Sequence, residues 1–124
     1  MFAINDDLSI YMTRGDACSI DVSAMSNGEP YTFVNGDIVR LSVMEKKNCE
    51  NVLMVKEIEV IGSTTTATIS LSKEDTRFGE VISKPTDYWY EVELNPDTHP
   101  QTIIGFDEDG AKVFRLYPEG GDIE

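Results

Sequence analysis

The sequence contains few groups of residues whose types and spacing suit chemistry, and the first is the acidic run in GFDEDGAKVF, Gly105–Phe114. A calcium loop of the EF-hand kind needs acidic residues at positions 1, 3 and 5, glycine at 6 and glutamate at 12. With Gly110 at position 6, Gly105 falls at position 1 and Leu116 at position 12. Because two required carboxylates are missing, we expect no metal and no cofactor here.

A hairpin turn explains the same stretch better. A loop of Glu108–Gly110 fits a type I turn followed by a glycine in the left-handed conformation. This register pairs Ile104 with Phe114 and places both side chains on one face. The sequence therefore predicts a β-hairpin at this position.

Two further groups of residues suggest catalysis. The single histidine, His99, lies in a proline-rich loop beside Asp97 and Thr98, but chain neighbours in a loop do not form a general-base constellation. Glu91 and Glu93 resemble the carboxylate pair of glycosidases, yet they alternate along one predicted strand, which indicates a solvated face. We predict that the protein is not an enzyme and assign no catalytic residue.

The two cysteines, Cys18 and Cys49, have no ligand pair at close spacing for zinc, even together with His99. The N-terminal segment MFAINDDLSI has neither a basic region nor an apolar region of a secretory signal. We therefore expect a reducing compartment and two free thiols.

Two short motifs are interpreted as turns or loops. Arg14–Asp16 is the tripeptide that integrins recognise, but its position between two apolar runs indicates a turn. The pair Gly120 and Gly121 precedes neither a helix nor a lysine, so it does not form a phosphate-binding loop.

The net charge of −13 and the pI of about 4.3 exclude several partners. Such a field repels nucleic-acid phosphates and anionic membrane surfaces. No apolar run approaches the roughly 18 residues of a membrane span. Because the acids are spread along the chain, they indicate a solvated surface, with mimicry of DNA as the other interpretation.

Short runs of β-branched and aromatic residues alternate with turn signals along the chain. Asp37–Met44 and Asp87–Leu94 alternate most clearly, whereas the phase changes within Asn51–Ile61 and predicts a β-bulge near Lys56. We predict an all-β fold, an immunoglobulin-like β-sandwich of about eight short antiparallel strands, with one domain over residues 1–118 and a loose tail over 119–124. The predicted core includes Tyr90, Val92, Leu41, Val43, Ile69 and Phe114.

The face of the predicted strand Asp87–Leu94 that points away from this core holds Trp89, Glu91 and Glu93. An aromatic side chain between acids can stack on a sugar or dock a protein. The other interpretation of Trp89 is that it packs in the second sheet or under a loop. We take these three residues as the candidate interface with a partner.

The chain also resembles a known family through its order of motifs. A Gly-Asp turn precedes an alternating strand at Gly15-Asp16 and again at Gly36-Asp37, an acidic turn follows at Asp75-Thr76, and Tyr88–Leu94 is a tyrosine-rich strand. This layout resembles small bacteriophage and prophage tail proteins and is similar to the N-terminal sandwich domain of siphophage upper baseplate proteins.

The resemblance implies a non-enzymatic virion structural or assembly module of a tail or baseplate. It implies other tail or baseplate subunits as partners, a possible homo-oligomer, and a location in the bacterial cytoplasm before assembly and then in the virion. The alternative is a small carbohydrate- or ligand-binding β-sandwich.

Overall fold

The structure is a computed structural model that describes residues 2–4, 8–26, 28–46, 51–98, 100–104 and 111–118. Within these ranges the chain forms eleven β-strands and one short 3-10 helix, Asp75–Arg77. The all-β prediction is confirmed, with more and shorter strands than the eight expected. The strands are β1 Phe2–Ile4, β2 Ile10–Thr13, β3 Cys18–Val22, β4 Met25–Ser26, β5 Glu29–Pro30, β6 Ile38–Met44, β7 Val52–Glu59, β8 Ala67–Leu71, β9 Thr86–Leu94, β10 Gln101–Ile104 and β11 Lys112–Tyr117.

The larger sheet has the order β1-β2-β11-β9-β6-β7, and β10 also pairs with β9. The smaller sheets pair β3 with β8 and β4 with β5. β2 and β11 run parallel, which corrects the expectation of a purely antiparallel fold; the other strand pairs are antiparallel. Only a crossover can join parallel neighbours, and here it is almost the whole chain between β2 and β11.

The predicted hairpin between β10 and β11 is wrong. Ile104 pairs with Val92, and Phe114 pairs with Tyr88, so both segments lie antiparallel to β9. They therefore run in the same direction along one edge of β9. The predicted turn, Glu108–Gly110, lies outside the described residues.

The turn that reverses the chain is the loop after β9 instead. The amide of Thr98 donates to the carbonyl of Asn95, and Asn95 has a positive φ of 48°. Asparagine tolerates this left-handed conformation better than most residues do. The loop thus directs β10 back along β9.

The core lies where the inward faces of the larger sheet and the β3–β8 sheet meet. Phe114 packs edge-on against Phe78 and Tyr90, at ring distances of 5.7 and 6.2 Å. These aromatic contacts lie in the buried core, against the centre of the larger sheet. The predicted core is confirmed, since Tyr90, Val92, Leu41, Val43, Ile69 and Phe114 are all buried.

The bulge in β7 lies at a different place from the predicted one. The register slips opposite Val43 and Met44, which pair with Met54 and Val52, so the extra residue is Leu53 and not one near Lys56. Lys56 lies in the core-facing phase, opposite Leu41, and its ammonium reaches the carboxylate of Asp75 at 3.1 Å. A long charged side chain can occupy such a position when its charged end reaches a partner or water.

Candidate functional site

The structure places all three predicted interface residues on one face. In β9, burial alternates, with Tyr88, Tyr90, Val92 and Leu94 buried and Trp89, Glu91 and Glu93 only partly buried. Since alternate residues of a strand point to opposite sides, these three side chains lie on the face of the larger sheet that is opposite the core. We call this face the outer face.

Trp89 belongs to an apolar band that crosses the outer face. It pairs with Met44 on β6 and with Val113 on β11. Met44 is buried although it points away from the core, while Val52 and Val55 on β7 are exposed, Val55 at 51%. Apolar side chains thus continue from Trp89 to the edge of the sheet.

A groove of about 410 Å³ lies beside this band, along β6. Ser42 is opposed by Val55 on β7 and by Glu91 on β9. A serine between larger side chains leaves an open depression at this position. Along β6 the floor continues to Arg40 on one side and Met44 on the other.

Of the three carboxylates that line the groove, Glu91 and Glu93 make no ion pair within the described residues. Burial, with the neighbouring Glu93, raises the pKa of Glu91 above its ordinary value. Arg40 lies opposite Glu93 in the ladder, but its guanidinium pairs with Glu57 at 2.6 Å and Asp97 at 2.9 Å. Within the described part of the chain, neither Glu91 nor Glu93 makes an ion pair.

The other cation of the outer face also has a partner already. Arg115 donates to both carboxylate oxygens of Asp87, at 2.6 and 3.3 Å. Its guanidinium lies 4.7 Å from the centre of the Tyr11 ring. Arg115, like Arg40, is therefore engaged by carboxylates, and it does not line the groove.

The Arg14–Asp16 tripeptide forms a turn, as predicted, and the turn is anchored to the protein. Arg14 is only 6% exposed and donates to the carbonyl of Arg77 at 3.0 Å. The buried hydroxyl of Thr76 accepts from the amide of Gly15 at 3.0 Å and donates to the carbonyl of Asp16 at 2.8 Å. An integrin-type contact needs an accessible arginine, which this turn does not present.

Sequence reasoning missed a buried hub at Asp37. Its carboxylate accepts hydrogen bonds from the hydroxyl of Tyr31, the amide of Val34 and the side chain of Asn95. Burial alone would raise its pKa, but the hydrogen bonds from Val34, Asn95 and Tyr31 outweigh it and lower the pKa. The Gly36-Asp37 turn was the sequence signal that could have indicated this cluster of hydrogen bonds. Through them, Asp37 connects the loop before β6 to the end of β9.

The remaining candidates lie mostly outside the described residues: Cys49, His99, Asp107–Gly110 and the tail at 119–124. Among the residues that are described, no group of three or more potential ligands could hold a metal ion. Cys18 forms no disulfide, and burial, with Asp16, raises the pKa of its thiol to about 11. No helix in the described ranges is long and apolar enough to cross a membrane.

Comparisons with protein-family models, with curated proteins and with solved structures gave no match for this chain. The arrangement of the outer face is therefore the main basis for a functional proposal.

Proposed function

We propose that this protein is a non-enzymatic structural or assembly module of a phage or prophage virion, in the tail or baseplate, and that it acts through protein–protein contacts. The observation that carries the proposal is the band of Trp89, Val52 and Val55 beside unpaired carboxylates. Aromatic and aliphatic centres with a polar rim are typical of protein interfaces. The motif order of the sequence supplies the phage context.

We assign the fold as an immunoglobulin-like sandwich. The order β11-β9-β6-β7, set against the pair β3-β8, follows the G-F-C-C′ and B-E order of immunoglobulin variable-type domains. In that arrangement β9 is the central strand F and its outward face belongs to the broader sheet. Such domains commonly serve as binding modules, which supports a role by contact.

A contact through the outer face is favoured over strand addition at the β7 edge. Inward-pointing charges and bulges are devices that prevent edge strands from pairing with other chains. β7 has both, with Lys56 in a core-facing position and the bulge at Leu53. A partner therefore gains more by lying across the face than by extending the sheet there.

The net charge supports association with a different protein. At −13, copies of this chain repel one another in solution. A basic partner supplies the complementary potential and speeds association. This keeps free subunits apart until assembly.

The test is mass spectrometry of purified particles from an induced host, together with capture of tail subunits by the purified protein. We expect the protein in particles and a tail subunit bound to the wild type. Trp89→Ala should weaken capture about tenfold or more, as central aromatic residues do. Ile61→Ala, which truncates another highly exposed apolar side chain outside the band, is the matched control. Absence from particles together with no bound tail subunit would refute the proposal.

A carbohydrate-binding module is the second candidate, favoured by the aromatic ring of Trp89 beside hydrogen-bonding carboxylates. A glycan array distinguishes the two functions. Binding of one glycan class that Trp89→Ala abolishes would favour this candidate.

A further inference from the structure

We propose that the groove above Ser42 receives a lysine or arginine side chain from an extended segment of the partner protein; this rests on the proposed function above. Among the described residues, the groove is the part of the outer face where an accessible hydroxyl, two carboxylates without ion pairs and apolar walls coincide.

The floor of the groove contains a hydroxyl that makes no hydrogen bond within the described residues. Ser42 is 8% exposed, lines the groove, and makes no side-chain hydrogen bond to any residue that the structure describes. The oxygen of this hydroxyl is accessible from the open groove, so a donor from another molecule can reach it. A donor that enters the groove from outside satisfies this hydroxyl.

The charge around the groove selects a cation. Glu91 and Glu93 stand on one wall without an ion pair within the described ranges, and Arg40 is already engaged by Glu57 and Asp97. An anionic group would add repulsion to a chain that carries −13. Hydrogen bonds between an ammonium or guanidinium group and a carboxylate are among the stronger ones in proteins.

The walls favour a long side chain over a bare ion. β6 lies between β7 and β9, and adjacent strands are about 4.8 Å apart, so the walls stand roughly 10 Å apart. Val55 and Met44 line one side and one end of the groove. They offer apolar contact to the aliphatic stem of lysine or arginine, whose charged end then reaches Glu91.

The neighbouring Trp89 extends the site for a peptide segment. It pairs directly with Met44, so a segment whose basic side chain lies above Ser42 can place another residue on the indole. A second copy of this chain fits less well, because its own surface is strongly acidic.

The test uses the full chain, labelled with ¹⁵N, and blocked synthetic heptapeptides of alternating valine and threonine with one central residue varied. The central residue is lysine, arginine, norleucine or glutamate. We expect the lysine and arginine peptides to shift the amide resonances of Ser42, Val55 and Glu91 and to bind at least about tenfold more tightly than the norleucine peptide, which corresponds to about 1.4 kcal/mol. Equal binding of the norleucine peptide, or shifts confined to other strands, would overturn the proposal.

Substitutions in the groove test whether the basic side chain of the peptide binds there. Glu91→Gln should weaken the lysine peptide about tenfold, and Ser42→Arg, which fills the groove with a cation, should abolish binding. Glu29→Gln, on exposed β5, makes the same change in net charge away from the groove and should leave affinity unchanged. If Ser42→Arg does not fold, the affinity of Glu91→Gln for the lysine peptide is the deciding measurement. An affinity equal to that of the wild type would refute the proposal that the groove binds a cation beside Glu91.

This outcome is independent of the virion test. Loss of the groove site with retained capture of a tail subunit would reject only this inference. Peptide binding by a protein that is absent from particles would keep the groove and reject the virion role. Two results would overturn the proposal of a cationic occupant if no peptide binds. One is glycan binding, and the other is self-association that Ser42→Arg removes.

Discussion

The side-chain amide of Asn95 donates a hydrogen bond to the buried carboxylate of Asp37 at 3.2 Å. The side-chain oxygen Oδ1 of Asn95 accepts from the backbone amide of Ile38 at 2.8 Å. Tyr31 and Val34 donate to the other carboxylate oxygen at 2.9 and 3.0 Å. One carboxylate therefore joins the start of β6, the end of β9 and the loop that precedes β6.

Replacing Asp37 by alanine should destabilise the protein by about 3 kcal/mol or more, because three donors lose their acceptor in a buried site. Urea unfolding at pH 7 measures this. Asp97→Ala removes an exposed ion pair with Arg40 and should cost about 1 kcal/mol or less. Equal effects of the two substitutions would show that the hub does not stabilise the fold.

The same hub predicts acid sensitivity. The folded pKa of Asp37 lies below its ordinary value of 3.8, so its contribution is present above that pH and is lost as the pH falls through the folded pKa. Unfolding free energies of wild type and Asp37→Asn, measured from pH 7 to pH 2, should converge at the acid end. A constant difference over this range would contradict the lowered pKa.

Replacing Thr76 by valine should cost about 2–3 kcal/mol, since it removes the hydroxyl that joins the Gly15–Asp16 turn to the 3-10 helix while keeping the volume of the side chain. Thr65→Val, at an exposed loop position, controls for the change in side-chain chemistry. Thermal melts of both variants give the comparison. A melting temperature of Thr76→Val equal to that of the control would mean that the bridge contributes nothing.

Glu91→Gln should stabilise the protein at pH 7, by about 1 kcal/mol or less. The pKa of Glu91 is raised in the fold, so the fold is favoured below the ordinary pKa of 4.5 and loses that advantage as the pH rises through the folded pKa. The gain should disappear near pH 3, where the carboxyl is protonated in both states. Glu29→Gln serves as the control for net charge, and a gain of equal size in that variant would rule out a local effect.

Cys18 should react slowly with iodoacetamide in the folded protein. A rise in pKa from 9.0 to about 11 lowers the thiolate fraction at neutral pH about 100-fold. The measurement uses Cys49→Ser, so that only one thiol reacts, and compares rates with and without urea. Similar reaction rates with and without urea would contradict the conclusion that burial and the neighbouring Asp16 suppress ionisation of the Cys18 thiol.

The sequence by itself determined which side chains of the clearest strands face the core. The alternation in β6 and β9 is a local property of an extended chain, so Leu41, Tyr90 and Val92 were identified as buried and Trp89, Glu91 and Glu93 as sharing a face. No knowledge of neighbouring strands is needed for that prediction.

Tertiary structure decided which strands lie side by side. The acidic turn signal before β11 favoured a hairpin, whereas β10 and β11 each pair antiparallel with β9 and so cannot pair antiparallel with each other as that hairpin requires. The bulge at Leu53 leaves Lys56 in the core-facing phase, where it pairs with Asp75, a contact that alternation cannot reveal. The groove likewise exists only because β6 lies between β9 and β7, which brings Ser42 between Glu91 and Val55. Strand order is set by the burial of many distant side chains together, whereas the two faces of a strand are set by its own backbone.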